Sequence, residues 1–200
     1  MPAGSRVYGL IFDLDGTLVQ SGLDFDAIRR ELGLPPGEPL LEVLARLPAS
    51  QARHGLAVLE RHEEHAAQRA TATPGVIELL AWLARRKVRA GVLTRSARRF
   101  ALASLARTGL QCDPVLGRED APPKPDPAGI WRICDYWGLR PEQTAMVGDY
   151  RFDIEAGRRA GVRTVLYTGG REPTEEELSW GADLVLGCFL KAEKLLEWLE

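Results

Sequence analysis

Two aspartates separated by one leucine, Asp13 and Asp15, close an apolar run in the stretch VYGLIFDLDGTLVQ, and Gly16 and Thr17 follow at once. Carboxylates this close raise the cost of ionising each other, so the spacing calls for a positive partner or for two different jobs. Thr94 ends a second apolar run, Lys124 sits in PPKPDP, and GDYRFD carries Asp149 and Asp153. Four carboxylates gathered in one crevice would repel unless a hard cation joined them, and Mg2+ takes one or two carboxylates together with waters and substrate phosphate. Asp13 and Asp149 are the expected side-chain ligands. Asp13, kept ionised, can attack phosphorus and form an aspartyl-phosphate. Asp15, just past the strand, can protonate the leaving alkoxide and later deprotonate water. Gly16 permits a tight backbone turn, and N–H groups there could cradle phosphate oxygens. Thr94 Oγ can donate a hydrogen bond to the same oxygens, and Lys124 would neutralise charge on phosphate and on Asp13. Asp153 is expected to orient Lys124 or a metal-bound water without touching the ion.

Parallel strands would bring these positions together. Short apolar runs recur at 7–12, 89–94, 114–117, 144–149, 163–167 and 182–187, with amphipathic segments such as GVIELLAWLARR and PAGIWRICDYWG between them. That alternation predicts an α/β parallel sheet with crossover helices on both faces. In such a sheet ligands sit outside the carboxyl ends of the strands, where Asp13, Thr94 and Asp149 all fall. The stretch 21–72 breaks the rhythm. It holds helical patterns only, punctuated by Pro35, Pro36, Pro39 and Pro48, and reads as a small all-helical insertion. The predicted division is a core of 1–20 and 73–200, with the insertion hinged at VQSGL and TATPG.

Composition narrows the partners. A formal net charge of -2 offers no broad basic field for nucleic acid or an anionic membrane surface, so any phosphate must be held locally. Cys112, Cys134 and Cys188 have neither CxxC nor metal-ligand spacing, which suits a reducing, cytoplasmic setting. No run is long enough to read as a membrane span. Lysine occurs only at positions 87, 124, 191 and 194, which singles out Lys124. His54, His62 and His65 read as a solvated helix face ahead of a second metal site. Arg95 and Arg151 admit two readings, a fork-like grip on substrate phosphate or carboxylate and a surface role.

Together DLDGTL, Thr94, the lysine of KPDP and GDYRFD resemble, in order and spacing, the four motifs of the haloacid dehalogenase-like hydrolase superfamily. The helices ahead of Thr94 resemble the C1 cap of its phosphoglycolate-phosphatase-like branch. The resemblance implies a Rossmannoid three-layer αβα core with a small inserted all-helical cap. It also implies a Mg2+-dependent aspartyl-phosphate mechanism and the backbone carbonyl of Asp15 as a further metal ligand. The expected activity is phosphomonoester hydrolysis on a small phosphorylated metabolite. Phosphoryl transfer to a sugar hydroxyl is the nearest alternative. Dehalogenation is disfavoured because halide departure needs no acid such as Asp15, and a phospho-acceptor switch because its first crossover carries no helical cap.

Overall fold

In the computed structural model, which describes residues 6–199 apart from the side chain of Glu193, each of the six apolar runs contains one strand of a single sheet. These are β1 (Gly9–Phe12), β4 (Arg89–Leu93), β5 (Val115–Leu116), β6 (Thr144–Gly148), β7 (Arg163–Tyr167) and β8 (Leu184–Leu186). Their order is β5-β4-β1-β6-β7-β8, and every pairing is parallel. β1 lies between β4 and β6, and all four of its residues are buried. This explains why it reads as unbroken GLIF without alternation.

The period of two decides which helix covers which face. Leu10 and Phe12 of β1, Val92 of β4 and Val147 of β6 join one apolar cluster with α4 (Val76–Arg85), α5 (Arg98–Thr108) and α9 (Glu193–Leu199). Ile11, Leu93 and Met146 point the other way, against α6 (Ala128–Trp137) and α7 (Arg151–Ala160). The result is the expected three-layer αβα core. No helix among the described residues is long and apolar enough to cross a membrane.

Residues 21–70 supply α1 (Phe25–Leu32), α2 (Leu40–Arg46) and α3 (Ala49–Arg69). They gather a separate apolar cluster of Ile28, Leu40, Leu44, Val58 and Leu59. Asp24 caps α1 by accepting from the N–H groups of Asp26 and Ala27.

A two-stranded ribbon and a short helix escape the sequence pattern. The stretch read as strand-free ends in β3 (Thr71–Ala72), which pairs antiparallel with β2 (Val19–Gln20), so the two predicted hinges form one ribbon. Neither Val19–Gln20 nor Thr71–Ala72 forms an apolar run that would mark a strand. A short helix, α8 (Glu175–Ser179), follows β7 and is closed by a capping box between Thr174 and Glu177.

The indole of Trp137 lies on two glycines of the sheet. A Cβ on Gly9 would stand 2.6 Å from its Cζ3, and one on Gly91 2.8 Å from its Cζ2. Gly9→Ala therefore overpacks the core and should lower stability by about 1–3 kcal/mol, measured by urea unfolding. Adding Trp137→Leu to Gly9→Ala should make the alanine itself less costly than it is beside the indole.

Candidate active site

The carboxyl ends of β1, β4 and β6 place Asp13, Thr94 and Asp149 on one edge of the sheet. Lys124 reaches this edge from the loop before α6. Only 2% of Lys124 is exposed, and its Nζ donates to Asp13 Oδ1 and Asp153 Oδ1, both at 2.6 Å. Burial alone would lower its pKa, but the charges of Asp13 and Asp153 outweigh that and the net shift is upward. Lys124 is thus a fixed cation. Asp153 is held from its other oxygen as well, which accepts the Tyr150 N–H at 3.1 Å.

Carboxylate oxygens of Asp13, Asp149 and Asp153 lie within 4.8 Å of one another. Burial first, then the charges of Asp13 and Asp153, push the Asp149 pKa up to about 7. Burial pushes Asp153 up to about 6 against the pull of Lys124. One lysine does not neutralise this set, and the surplus negative charge on hard oxygen donors suits a divalent cation of the Mg2+ or Ca2+ kind. Asp153 already spends both oxygens on Lys124 and Tyr150, which leaves Asp13 and Asp149 as the freer pair.

Backbone geometry makes the cluster possible. Gly16 has a φ of +83°, and a Cβ there would overlap the Asp149 carboxylate. Gly148 is equally constrained, since a Cβ on it would overlap Asp153. One expectation changes: the Gly16 N–H donates to the Val19 carbonyl at 2.9 Å, so it is not available to a phosphate oxygen. What glycine supplies here is space and a left-handed turn.

Asp15 is separated from the carboxylate cluster. It accepts from Ser21 Oγ at 2.5 Å and from Ser96 Oγ at 3.0 Å. Burial raises its pKa, the two serine hydroxyls pull it down, and the Asp13 charge raises it further; the net direction is up. A carboxyl held this way is suited to carrying a proton. The Thr94 Oγ accepts the Ser96 N–H at 3.1 Å, which leaves its own hydrogen free to donate.

Arg95 does not face the site as an open fork. Its Nη2 reaches both carboxylate oxygens of Glu42 on α2, at 2.8 and 2.6 Å, and its Nη1 donates to the Lys124 carbonyl. Its guanidinium also lies 4.6 Å from the Phe152 ring centre. Arg151 stacks over Tyr150 and Phe152. His62 pairs with Glu31 at 2.9 Å.

Sequence reasoning passed over Thr17, Ser21 and Ser96. Thr17 is fully buried and donates to Asp149 Oδ1 at 3.0 Å. Its position directly after the Asp-Gly turn was the available signal. Ser21 and Ser96 gave none, because each meets Asp15 only through the fold. Asp13, Asp15, Thr94, Ser96, Lys124, Asp149 and Asp153 line a cavity of about 390 Å³, whose opposite wall comes from α1, α2 and α3, within the usual range for small-molecule sites of roughly 300–1,000 Å³.

A family model described as haloacid dehalogenase-like hydrolase matches residues 26–167. The chain belongs to this family. Within it, the chain is 31% identical to an N-acetylmuramic acid 6-phosphate phosphatase of Pseudomonas aeruginosa, over 90% of this chain and 91% of that one. It is 33% identical to a phosphoglycolate phosphatase of Rhodospirillum rubrum, over 95% of this chain and 90% of that one. The crystal structure of a hydrolase from Pseudomonas syringae superposes with a TM-score of 0.82 at 22% identity, covering 97% and 99% of the two chains. The two chains thereby share a fold at low identity.

The carboxylate pKa values predict a metal-linked pH effect. With Asp149 near 7 and Asp153 near 6, both above the ordinary value of about 4, the folded chain binds more protons than the unfolded one in that window. These groups therefore lower metal-free stability as pH rises from about 4 to 7. Added Mg2+ should raise Tm more at pH 8 than at pH 5.5 in scanning fluorimetry; equal shifts at both values would contradict the assignment. Gly16→Ala should abolish most of the Mg2+-dependent shift.

Proposed function

We propose that this chain is a Mg2+-dependent phosphomonoesterase acting on a small phosphorylated metabolite through an aspartyl-phosphate on Asp13. The observation that carries this reading is the separation of the two aspartates. Asp13 is tied to a buried lysine and faces Asp149, while Asp15 is held apart by two hydroxyls with a raised pKa, and both line one cavity. The names of the related phosphatases support the same reaction class.

In the first step a carboxylate oxygen of Asp13 bonds to phosphorus and the ester oxygen departs, taking a proton from Asp15. In the second, water attacks the phosphorus of the aspartyl-phosphate while Asp15, now ionised, accepts the water proton, and inorganic phosphate is released. Lys124 and the Thr94 hydroxyl stabilise the equatorial oxygens. A Mg2+ ion on Asp13, Asp149 and the Asp15 backbone carbonyl would supply further charge neutralisation. Thr17 positions Asp149, and Asp153 positions Lys124. The α1–α3 unit, read as a cap over 21–72, closes the cavity to bulk water, and Arg95 with Glu42 ties it to the core.

The decisive experiment is inorganic phosphate release from p-nitrophenyl phosphate and a panel of metabolite esters. Release should require Mg2+, stop reversibly with chelator and vanish in Asp13→Asn; retained turnover in that variant would assign the attack to another group. Asp15→Asn should slow alkyl esters by about 10²–10⁴-fold and p-nitrophenyl phosphate much less. An equal loss across leaving groups would remove Asp15 from the acid role.

A further inference from the structure

The loop that carries Lys124 has little means of holding itself in place. In APPKPDP, at 121–127, Pro122, Pro123, Pro125 and Pro127 have no backbone N–H to donate. One bond closes within the loop, from the Asp126 N–H to the Pro123 carbonyl at 3.1 Å. Two of its carbonyls are gripped from outside by arginines. Arg159 Nη1, on α7, donates to the Pro125 carbonyl at 3.1 Å, and Arg95 Nη1 donates to the Lys124 carbonyl. Arg95 thus holds the backbone of the residue whose ammonium holds Asp13 and Asp153.

Arg95 is itself held from the helical unit. Its Nη2 reaches both carboxylate oxygens of Glu42 on α2, at 2.8 and 2.6 Å, and its guanidinium stacks on Phe152. A planar fork can serve a carboxylate on one nitrogen and a carbonyl on another, which a lysine ammonium does poorly. The third helix is fastened to the core independently. Arg118 reaches Glu63 at 2.5 Å and Glu60 at 3.5 Å, and Arg99 reaches Glu60 at 2.7 Å. Among the described residues, α1 and α2 have no hydrogen bond or ion pair to the core other than that of Glu42 with Arg95. The polar tie of α2 therefore runs through the arginine that fixes the lysine loop.

We propose that Arg95 is a positioning residue for Lys124, and that Glu42 makes this positioning depend on the seating of α2. With α2 seated, both ends of the guanidinium are engaged and the Lys124 carbonyl is held. With α2 displaced, Nη2 loses its carboxylate, the side chain regains rotamer freedom, and the loop loses one of its two outside anchors. The lysine that neutralises the nucleophile is then fully placed only when the helical wall of the cavity is in position.

The coupling can be read without any assay of activity, by amide hydrogen exchange of peptides spanning 118–128. Glu42→Ala should speed exchange there severalfold, although Glu42 does not touch the loop. Arg95→Gln should do so at least as much, and the double variant no more than Arg95→Gln alone. Arg95→Glu combined with Glu42→Arg restores an ion pair between α2 and the core but leaves position 95 without a donor for the Lys124 carbonyl, so the loop should stay fast. Faster exchange confined to 25–46 in the single variants, or wild-type protection of the loop in the reversed pair, would make Arg95 a tie for α2 and nothing more. The kinetic consequence rests on the phosphatase reading: with p-nitrophenyl phosphate and Mg2+, Arg95→Gln should lose about 10–100-fold in kcat, and the reversed pair should recover KM without recovering kcat. A rise in KM at unchanged kcat overturns the positioning role. No release by wild type overturns the phosphatase reading, and the exchange data then decide the coupling alone. Should Arg95→Gln fail to fold by circular dichroism, Glu42→Ala, at a partly exposed side chain, decides by the same two comparisons.

Discussion

A lysine ammonium buried between two carboxylates is the constraint on which the rest of this molecule depends. A charge with 2% exposure survives only if it is paired, because losing one partner from such a pair commonly costs about 3–5 kcal/mol. The partners of Lys124 come from different elements, Asp13 from the end of β1 and Asp153 from the first turn of α7. The proline-flanked loop must therefore pass close to the sheet edge, and α7 must begin where it does. Gly148 and Gly16 are the steric counterparts of that requirement, since any side chain at either would displace a carboxylate.

The floor of the cavity and its opposite wall are built differently. Charge and hydrogen-bonding groups at the cavity floor sit on or beside the ends of rigid parallel strands, where backbone pairing fixes their separation. The opposite wall is built from helices with a core of their own. Arg95 links the two: it is anchored beside Thr94, bonds the Lys124 carbonyl and grips Glu42 on α2. Arg118 does the same further along, to Glu63 and Glu60 on α3.

Much of this arrangement was legible in the sequence, for identifiable reasons. The strands were visible because each contains a short apolar run set between amphipathic segments. Parallel pairing then followed from the intervening helices, and with it the meeting of Asp13, Thr94, Lys124 and Asp149. Strand order and the assignment of α4, α5 and α9 to one face were not legible, because they depend on which side chains of β1 meet which helix. The supports of the site were hidden for a related reason. Ser96 lies 81 positions from Asp15, and Thr17 lies 132 from Asp149; no local pattern marks such pairs. Arg95 was read as a candidate for substrate because its partner, Glu42, lies in a segment whose placement no periodicity predicts. The Gly16 N–H was expected to face phosphate because the return of Val19 toward Leu14 and Gly16 leaves no trace in composition.

The ribbon of β2 and β3 changes what the inserted helices demand of the sheet. Because Val19 pairs with Ala72 and Gln20 with Thr71, the chain leaves and re-enters the core at almost one point. Seen from the sheet, the whole excursion is equivalent to a hairpin turn. Loop-closure entropy rises only logarithmically with length, by about 0.6 kcal/mol for each doubling, so a longer or shorter excursion would alter the stability of the core very little. The fold can therefore exchange the wall of its cavity for another while the strand edge that carries the carboxylates stays as it is.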